Sequence, residues 1–174
     1  MEAADIARLI DERLGAGTAS VYEDLEPQVA IAPERLVEAC LYLRDAQELR
    51  FDYMRCLTGL DLPPDAMAVV IHLVSTVLKH RLILRVETSR ERPSVPSVEG
   101  VWPGAGWFER EVFDLLGVDF PGNRDLRRIL LPDEWIGHPL RKDYRESRAF
   151  FNIPTRRAES IRVVHGSVPP AEEG

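Results

Sequence analysis

Hydrophobic and polar positions alternate with helical period at the start of the chain. Ile6, Leu9, Ile10 and Leu14 fall on one stripe, and Gly15 and Gly17 follow where a helix should stop. Two brief β-prone runs, residues 19–23 and 28–31, flank a turn at residues 24–27. Pro33 fits the first turn of a second helix, with Leu36, Val37, Cys40, Leu41 and Leu43 as its apolar face and the polar run 44–48 as its end. Residues 51–60 read as a strand entering a turn over residues 61–65. Residues 68–77 and 81–88 are the clearest strands of all, joined by a short connection at residues 78–80 that predicts a hairpin. In the second of these, Leu82, Leu84 and Val86 alternate with Arg81, Arg85 and Glu87, so one face is buried and the other exposed or paired. His72, alone within the first, reads as a structural residue. Residues 89–101 hold Pro93, Pro96 and Gly100 and read as a linker or irregular crossing.

A third helix follows. Pro103 and Gly104 precede it, and Gly117 sits where a left-handed terminating residue is wanted. Phe108, Val112 and Leu115 form one stripe, with Phe113 and Leu116 beside it, so this helix is expected to be buried on more than one side. The order of helices and strands predicts an α+β fold of two layers, with helices on one face of a mixed or antiparallel sheet. One domain is expected over residues 1–144, including a chemistry-rich region at 102–144. Regular periodicity fades after that, and residues 145–174 read as an extended tail, partner-binding or disordered.

Composition narrows the function. At 174 residues and 45% hydrophobic content the chain suits one domain with a real core. A net charge of −7 argues against nucleic-acid binding, which needs a clustered positive surplus. No apolar run approaches the roughly 18 residues of a membrane span, and the acidic, amphipathic N-terminus does not read as a secretory signal. Cys40 and Cys56 are the only cysteines and the four histidines are scattered, too few soft ligands for a structural zinc or iron–sulfur site. The plain expectation is a cytoplasmic protein with no cofactor or metal.

The candidate chemistry concentrates in residues 102–144, which hold all three tryptophans. Arg110 and Asp114 are four apart and predict a helix-surface pair. Glu111 and Asp114, three apart, could form an acid–base pair, but the nearby arginines favour an ion network for both carboxylates. The glycines at 104 and 106 lack the third glycine and the preceding strand of a dinucleotide loop. Of Arg127 and Arg128, one is expected to face the fold and the other a partner. His138, in the turn of GHPLRKD, is expected to stabilise that turn, and nothing in the segment supplies a nucleophile with its base.

Three stretches carry a resemblance: WFEREVFDLLGVDF at residues 107–120, DLRRILLP at 125–132 and GHPLRKDY at 137–144. In this order and spacing they resemble the thirty-kilodalton subunit of respiratory complex I, the C subunit of bacterial NADH:quinone oxidoreductase, with a looser likeness reaching back to about Phe51. The resemblance implies a non-catalytic peripheral-arm subunit of a proton-translocating enzyme, holding no flavin, cluster or quinone of its own. It implies a hetero-oligomer whose partners are the large quinone-site subunit and the iron–sulfur subunits, on the cytoplasmic side of the inner membrane without a span of its own. Glu109, Arg110, Glu111, Asp114, Arg127, Arg128, Arg141, Lys142 and Asp143 would then serve fold and partner contacts. Related subunits occur in membrane-bound hydrogenases and other ion-translocating dehydrogenases, the alternative reading. Asn123 and Arg124 depart from the His-Pro usual in the family. An amide keeps a hydrogen-bonding side chain there, while the ring and the proline-fixed turn are lost.

Overall fold

The computed structural model describes residues 1–145 in full and residues 149–150 and 153–154 by their backbone. Contacts divide the chain into two units, Met1–Tyr144 and Arg145–Gly174. In the second, β6 (Ala149–Phe150) and β7 (Ile153–Pro154) pair antiparallel. The expected extended or disordered tail otherwise lies outside the described residues.

In the first unit, α1 (Ala3–Leu14) buries Ile6, Ala7 and Ile10. The Asp11 carboxylate then accepts the N–H groups of Gly17 and Ala19 at 3.1 and 2.8 Å, turning the chain into β1 (Ala19–Tyr22). β1 pairs antiparallel with β2 (Gln28–Ile31). A 3-10 turn, Pro33–Arg35, leads into α2 (Leu36–Asp45). α2 buries Leu36, Ala39, Cys40 and Leu43. Val37 and Leu41, expected on that face, are 37% and 38% exposed. Positions 36, 39, 40 and 43 keep the helical period, and 37 and 41 stand about 100° away from 36 and 40.

β3 (Tyr53–Leu62), β4 (Ala66–Val74) and β5 (Arg81–Ser89) complete a mixed sheet of order β1-β2-β5-β4-β3. Only β2 and β5 run parallel. The β4–β5 hairpin forms, but its connection is longer than the sequence implied. The Ser75 N–H donates to the His80 carbonyl, the Lys79 N–H to the Ser75 carbonyl and the Leu78 N–H to the Ser75 hydroxyl, so residues 75–77 leave the strand and Val77 is exposed. Asp61, expected in a turn, instead continues β3 opposite Met67.

Alternation then sorts the sheet. Leu57, Met67, Val69, Ile71, Leu73, Leu82, Leu84 and Val86 join Ile6, Ile10, Leu36, Leu43, Val112 and Leu116 in one apolar cluster. All three helices therefore cover one face, the two-layer α+β arrangement. Residues 89–101 are no loose linker. Val95, Val98 and Val101 are buried, as is Trp102, whose indole N–H donates to the Phe51 carbonyl at 3.0 Å.

The third helix, α3 (Ala105–Leu116), lies against β3 and ends at Gly117 with φ 73°. Its approach depends on Gly59: a Cβ there would stand 2.5 Å from Leu116 Cδ1 and 2.8 Å from Val112 Cγ1. Gly59→Ala should therefore lower stability by about 1–3 kcal/mol through overpacking. Thermal or denaturant unfolding reads this directly. If the clash is the cause, Leu116→Ala should cost less in the Gly59→Ala background than in the native one.

Candidate functional site

One side of α3 is apolar and meets β3, yet the helix also buries charge. Glu109 and Asp114 are fully buried and Arg110 is nearly so, whereas Phe108, Phe113 and Leu115 remain part-exposed. The apolar stripes alone did not forecast this. What covers the charged positions is the irregular segment of residues 118–144, which runs beside α3 from its N-terminal to its C-terminal end. Irregular backbone cannot satisfy its own N–H and C=O groups as a helix or ladder does, and a buried group left unpaired is costly. Side chains of α3 take up that task.

Glu109 comes first along the helix. Its carboxylate accepts from the Ser97 hydroxyl at 2.7 Å, the Val98 N–H at 2.8 Å and Asn123 Nδ2 at 2.8 Å. Asn123 also accepts the Asp125 N–H at 2.9 Å, so this amide holds both Glu109 and its own turn. One residue on, Arg110 donates through Nε to the Arg127 carbonyl and through Nη2 to the Arg128 carbonyl, both at 3.1 Å. The expected Arg110–Asp114 pair does not form, because each side chain is drawn to the covering segment.

Asp114 is the densest node. It accepts from Arg128 Nη1 at 2.7 Å and from three consecutive N–H groups, Ile129, Leu130 and Leu131, at 3.1, 2.8 and 2.9 Å. Burial alone would raise its pKa. The backbone donors at Leu131, Leu130 and Ile129, together with the Arg128 guanidinium, outweigh that and hold it below the ordinary carboxylate range. Glu111 is exposed on another face of the helix, so the acid–base pairing of Glu111 with Asp114 is not assembled.

The last carbonyls of α3 are met in turn. Gly117 N–H donates to Phe113, His138 Nδ1 to Asp114 at 2.9 Å, Leu140 N–H to Leu115 at 3.1 Å and Arg141 Nε to Leu116 at 2.7 Å. These four carbonyls form the negative end of the helix dipole, where cations are favoured. The His138 ring packs over Gly117, where a Cβ would stand 2.5 Å from it. His138 thus fixes a helix end as well as its turn.

The remaining expected residues divide. Arg128 turns inward, its side chain 18% exposed, while Arg127 points out at 71% and pairs with Asp125. Asp143 joins Arg90, which also grips Asp61 through two bonds of 2.6 and 3.0 Å, and the Lys142 N–H reaches Asp61 at 2.7 Å. The Lys142 side chain is exposed. Asp61, Arg90 and Ser97 were missed from the sequence. A signal existed for Asp61: it shares the inward face of β3 with Leu57 and Gly59, an anomalous place for a carboxylate. Among the described residues, no three His, Cys, Asp or Glu side chains gather to hold a metal, and no helix is long and apolar enough to cross a membrane.

Fold and site together define a two-layer α+β module whose densest chemistry holds its own backbone. The family model for the respiratory-chain NADH dehydrogenase 30 Kd subunit matches residues 29–149. The NADH-quinone oxidoreductase C subunit of Roseiflexus sp. (strain RS-1) is 45% identical over 129 residues, 73% of each chain. The C/D subunit of Phocaeicola vulgatus is 39% identical over 150 residues, 83% of this chain and 28% of that one. Among solved structures, a trypsin-resistant fragment (1–134) of Nqo5 is 29% identical with TM-score 0.55, covering 68% of this chain and 97% of the fragment. A chain of the archaeal membrane-bound sulfane sulfur reductase shares the fold at TM-score 0.65 and 24% identity, over 82% of this chain and 85% of that one. The chain belongs to the family of the 30 Kd subunit of respiratory-chain NADH dehydrogenase.

Asp114→Asn keeps the shape but loses charge and presents N–H groups to donors. It should destabilise the fold by about 3 kcal/mol, as breaking a buried pair does. The depressed pKa means that the native carboxylate contributes fully above its unfolded value near 3.8 and loses that contribution as pH falls through the folded value. Urea midpoints measured from pH 7 downward should thus fall less steeply below about pH 4 in Asp114→Asn than in the native chain.

Proposed function

We propose that this chain is a non-catalytic peripheral-arm subunit of a proton-translocating NADH:quinone oxidoreductase, docking on the large quinone-site subunit beside the iron–sulfur subunits. The observation that carries the reading is the division of labour in residues 118–144. Their charged partners are committed to backbone, as at Asp114. Meanwhile Leu130, Ile136 and Leu140 stand 61%, 81% and 59% exposed. Large apolar side chains projecting from a firmly anchored segment suit an interface core. Arg127, Arg141, Lys142 and Asp143 would flank it, with Glu109, Arg110, Asp114 and Arg128 fixing its shape.

Two relatives support the partner assignment. The Phocaeicola vulgatus protein bears a combined C/D name on a much longer chain, which favours the D subunit as the neighbour. The Nqo5 fragment that resists trypsin matches 68% of this chain, in keeping with a core of residues 1–144 and a partner-binding tail at 145–174. Assembly support, rather than electron transfer, is the role assigned, on the cytoplasmic face of the membrane.

The test is purification with and without partners. The isolated chain should oxidise no NADH and reduce no quinone, whereas a tagged copy in cells should co-purify with a flavin- and cluster-bearing complex. NADH turnover by the isolated chain, or co-purification with a nickel-bearing assembly lacking a flavoprotein, would overturn it. A second measurement addresses the tail: amide exchange over residues 145–174 should be fast in the free chain and slow in the complex. Equal rates in both states would remove that assignment.

A further inference from the structure

The connection between β4 and β5, residues 75–80, is firmly fastened for an exposed turn. Thr76 donates its N–H to the Asp52 carboxylate at 2.7 Å and its hydroxyl to the same group. His80 Nε2 donates to the Leu49 carbonyl at 2.6 Å, and its ring stacks on Phe51 with centroids 4.6 Å apart. The turn so held displays Val77 and Leu78 side by side, 52% and 43% exposed. Tyr53, 54% exposed, stands opposite Val74 and shares that end of the sheet. Exposed turns are ordinarily polar, so adjacent aliphatics on a fixed tip point to a cover.

Cations ring the tip. Arg50, Lys79 and Arg81 are all exposed, on a chain whose net charge is −7. Among the described residues, none of their side chains forms a hydrogen bond or an ion pair. The acids nearby are taken: Asp52 by Thr76, with Arg50 acting on it only through its field, and Glu48 by the Tyr42 hydroxyl at 3.3 Å. Arg50 and Lys79 are also the only described residues other than glycine with a left-handed backbone, φ 43° and 60°. Glycine adopts such angles without strain, and arginine or lysine does not. Strain kept at two unpaired cations beside one apolar tip points to a use for the charges beyond folding.

We propose that this tip is a docking knob: Val77 and Leu78 enter an apolar socket on a neighbouring protein subunit, rimmed by Asp or Glu side chains opposite Arg50, Lys79 and Arg81. Charge sets the sign of the rim, since unpaired cations meet carboxylates favourably and other cations unfavourably. Rigidity sets the kind of occupant. A turn fastened to Asp52 and Leu49 fixes its side-chain directions before binding. That lowers the ordering cost of entering a shaped protein socket and gains little against a fluid lipid surface. The knob shares no residue with the surface at Leu130, Ile136 and Leu140. The inference rests on the subunit reading above for the presence of a neighbour.

The test uses the assembled complex, isolated through a tagged full-length chain, wild type or variant. Carbodiimide should couple Lys79 to an Asp or Glu of another subunit, identified by mass spectrometry, and Leu78→Ser should cut that product about tenfold. Arg50→Gly combined with Lys79→Gly should leave thermal melting of the free chain unchanged or higher, because glycine relieves the left-handed strain. The same double variant should weaken retention in the complex about tenfold in a salt titration, a split that a purely structural turn would not show. The coupling yield of Leu78→Ser decides independently of the double variant's stability. Wild-type-like retention of the double variant, or Lys79 coupled only within this chain or to a second copy of it, would overturn the knob. So would Leu78-dependent binding of the free chain to anionic phospholipid vesicles, which would assign the tip to a lipid surface. A wild-type chain that co-purifies with no other subunit overturns the subunit reading and the knob together, whereas a complex that assembles with Lys79 uncoupled overturns the knob alone.

Discussion

A chain that leaves regular secondary structure must still pair every buried N–H and C=O it carries. Over residues 118–144 that constraint decides the arrangement of the site. Asp114 collects three successive amides, Arg110 serves two carbonyls, and Glu109 binds the crossing before the helix to the turn after it. α3 is therefore both a wall of the core and a template. Its apolar side is positioned by the sheet, through the gap at Gly59, and its charged side then positions a segment that has no periodic structure of its own.

The two sides depend on each other. Charges buried at Glu109 and Asp114 are tolerable only while their partners stay in place, since removal of one partner strands the other in a poorly solvated site. The covering segment enters through Val118 and Phe120, which lie in the core, but beyond Leu126 its large apolar side chains Leu130, Ile136 and Leu140 face outward. The helix end is closed by His138, Leu140 and Arg141 from the same segment. Helix and segment thus form a single unit in which neither half is complete alone.

Much of the fold was legible because periodicity reports burial. The strands alternate, the helices repeat, and Gly117 marks a helix end that the chain does use. The errors share a physical origin. Residues 75–77 look like strand by composition, but Ser75 hydrogen bonds turn the backbone early. In α2, Val37 and Leu41 are apolar yet out of phase, and the smaller Ala39 is buried instead. The chemistry was harder to read. Charges at Glu109, Arg110 and Asp114 look like a solvated face until a segment fourteen or more residues downstream is laid over them, a relation that no local period encodes. Arg110 and Asp114 have the spacing of a surface pair and behave as two separate anchors. The family resemblance pointed to the region, and geometry supplied what its residues hold.

The three-amide grip at Asp114 separates shape from identity along residues 129–131. At those three positions the carboxylate reads only backbone and is indifferent to the side chains they carry, with proline the exception because it has no N–H to offer. The instructions for the path are written in the helix. The outward side chain at Leu130 is consequently free to change without unmaking the loop that displays it. A chain built this way can change what it displays at position 130 while keeping one inner scaffold, which depends on the single acid beneath the loop.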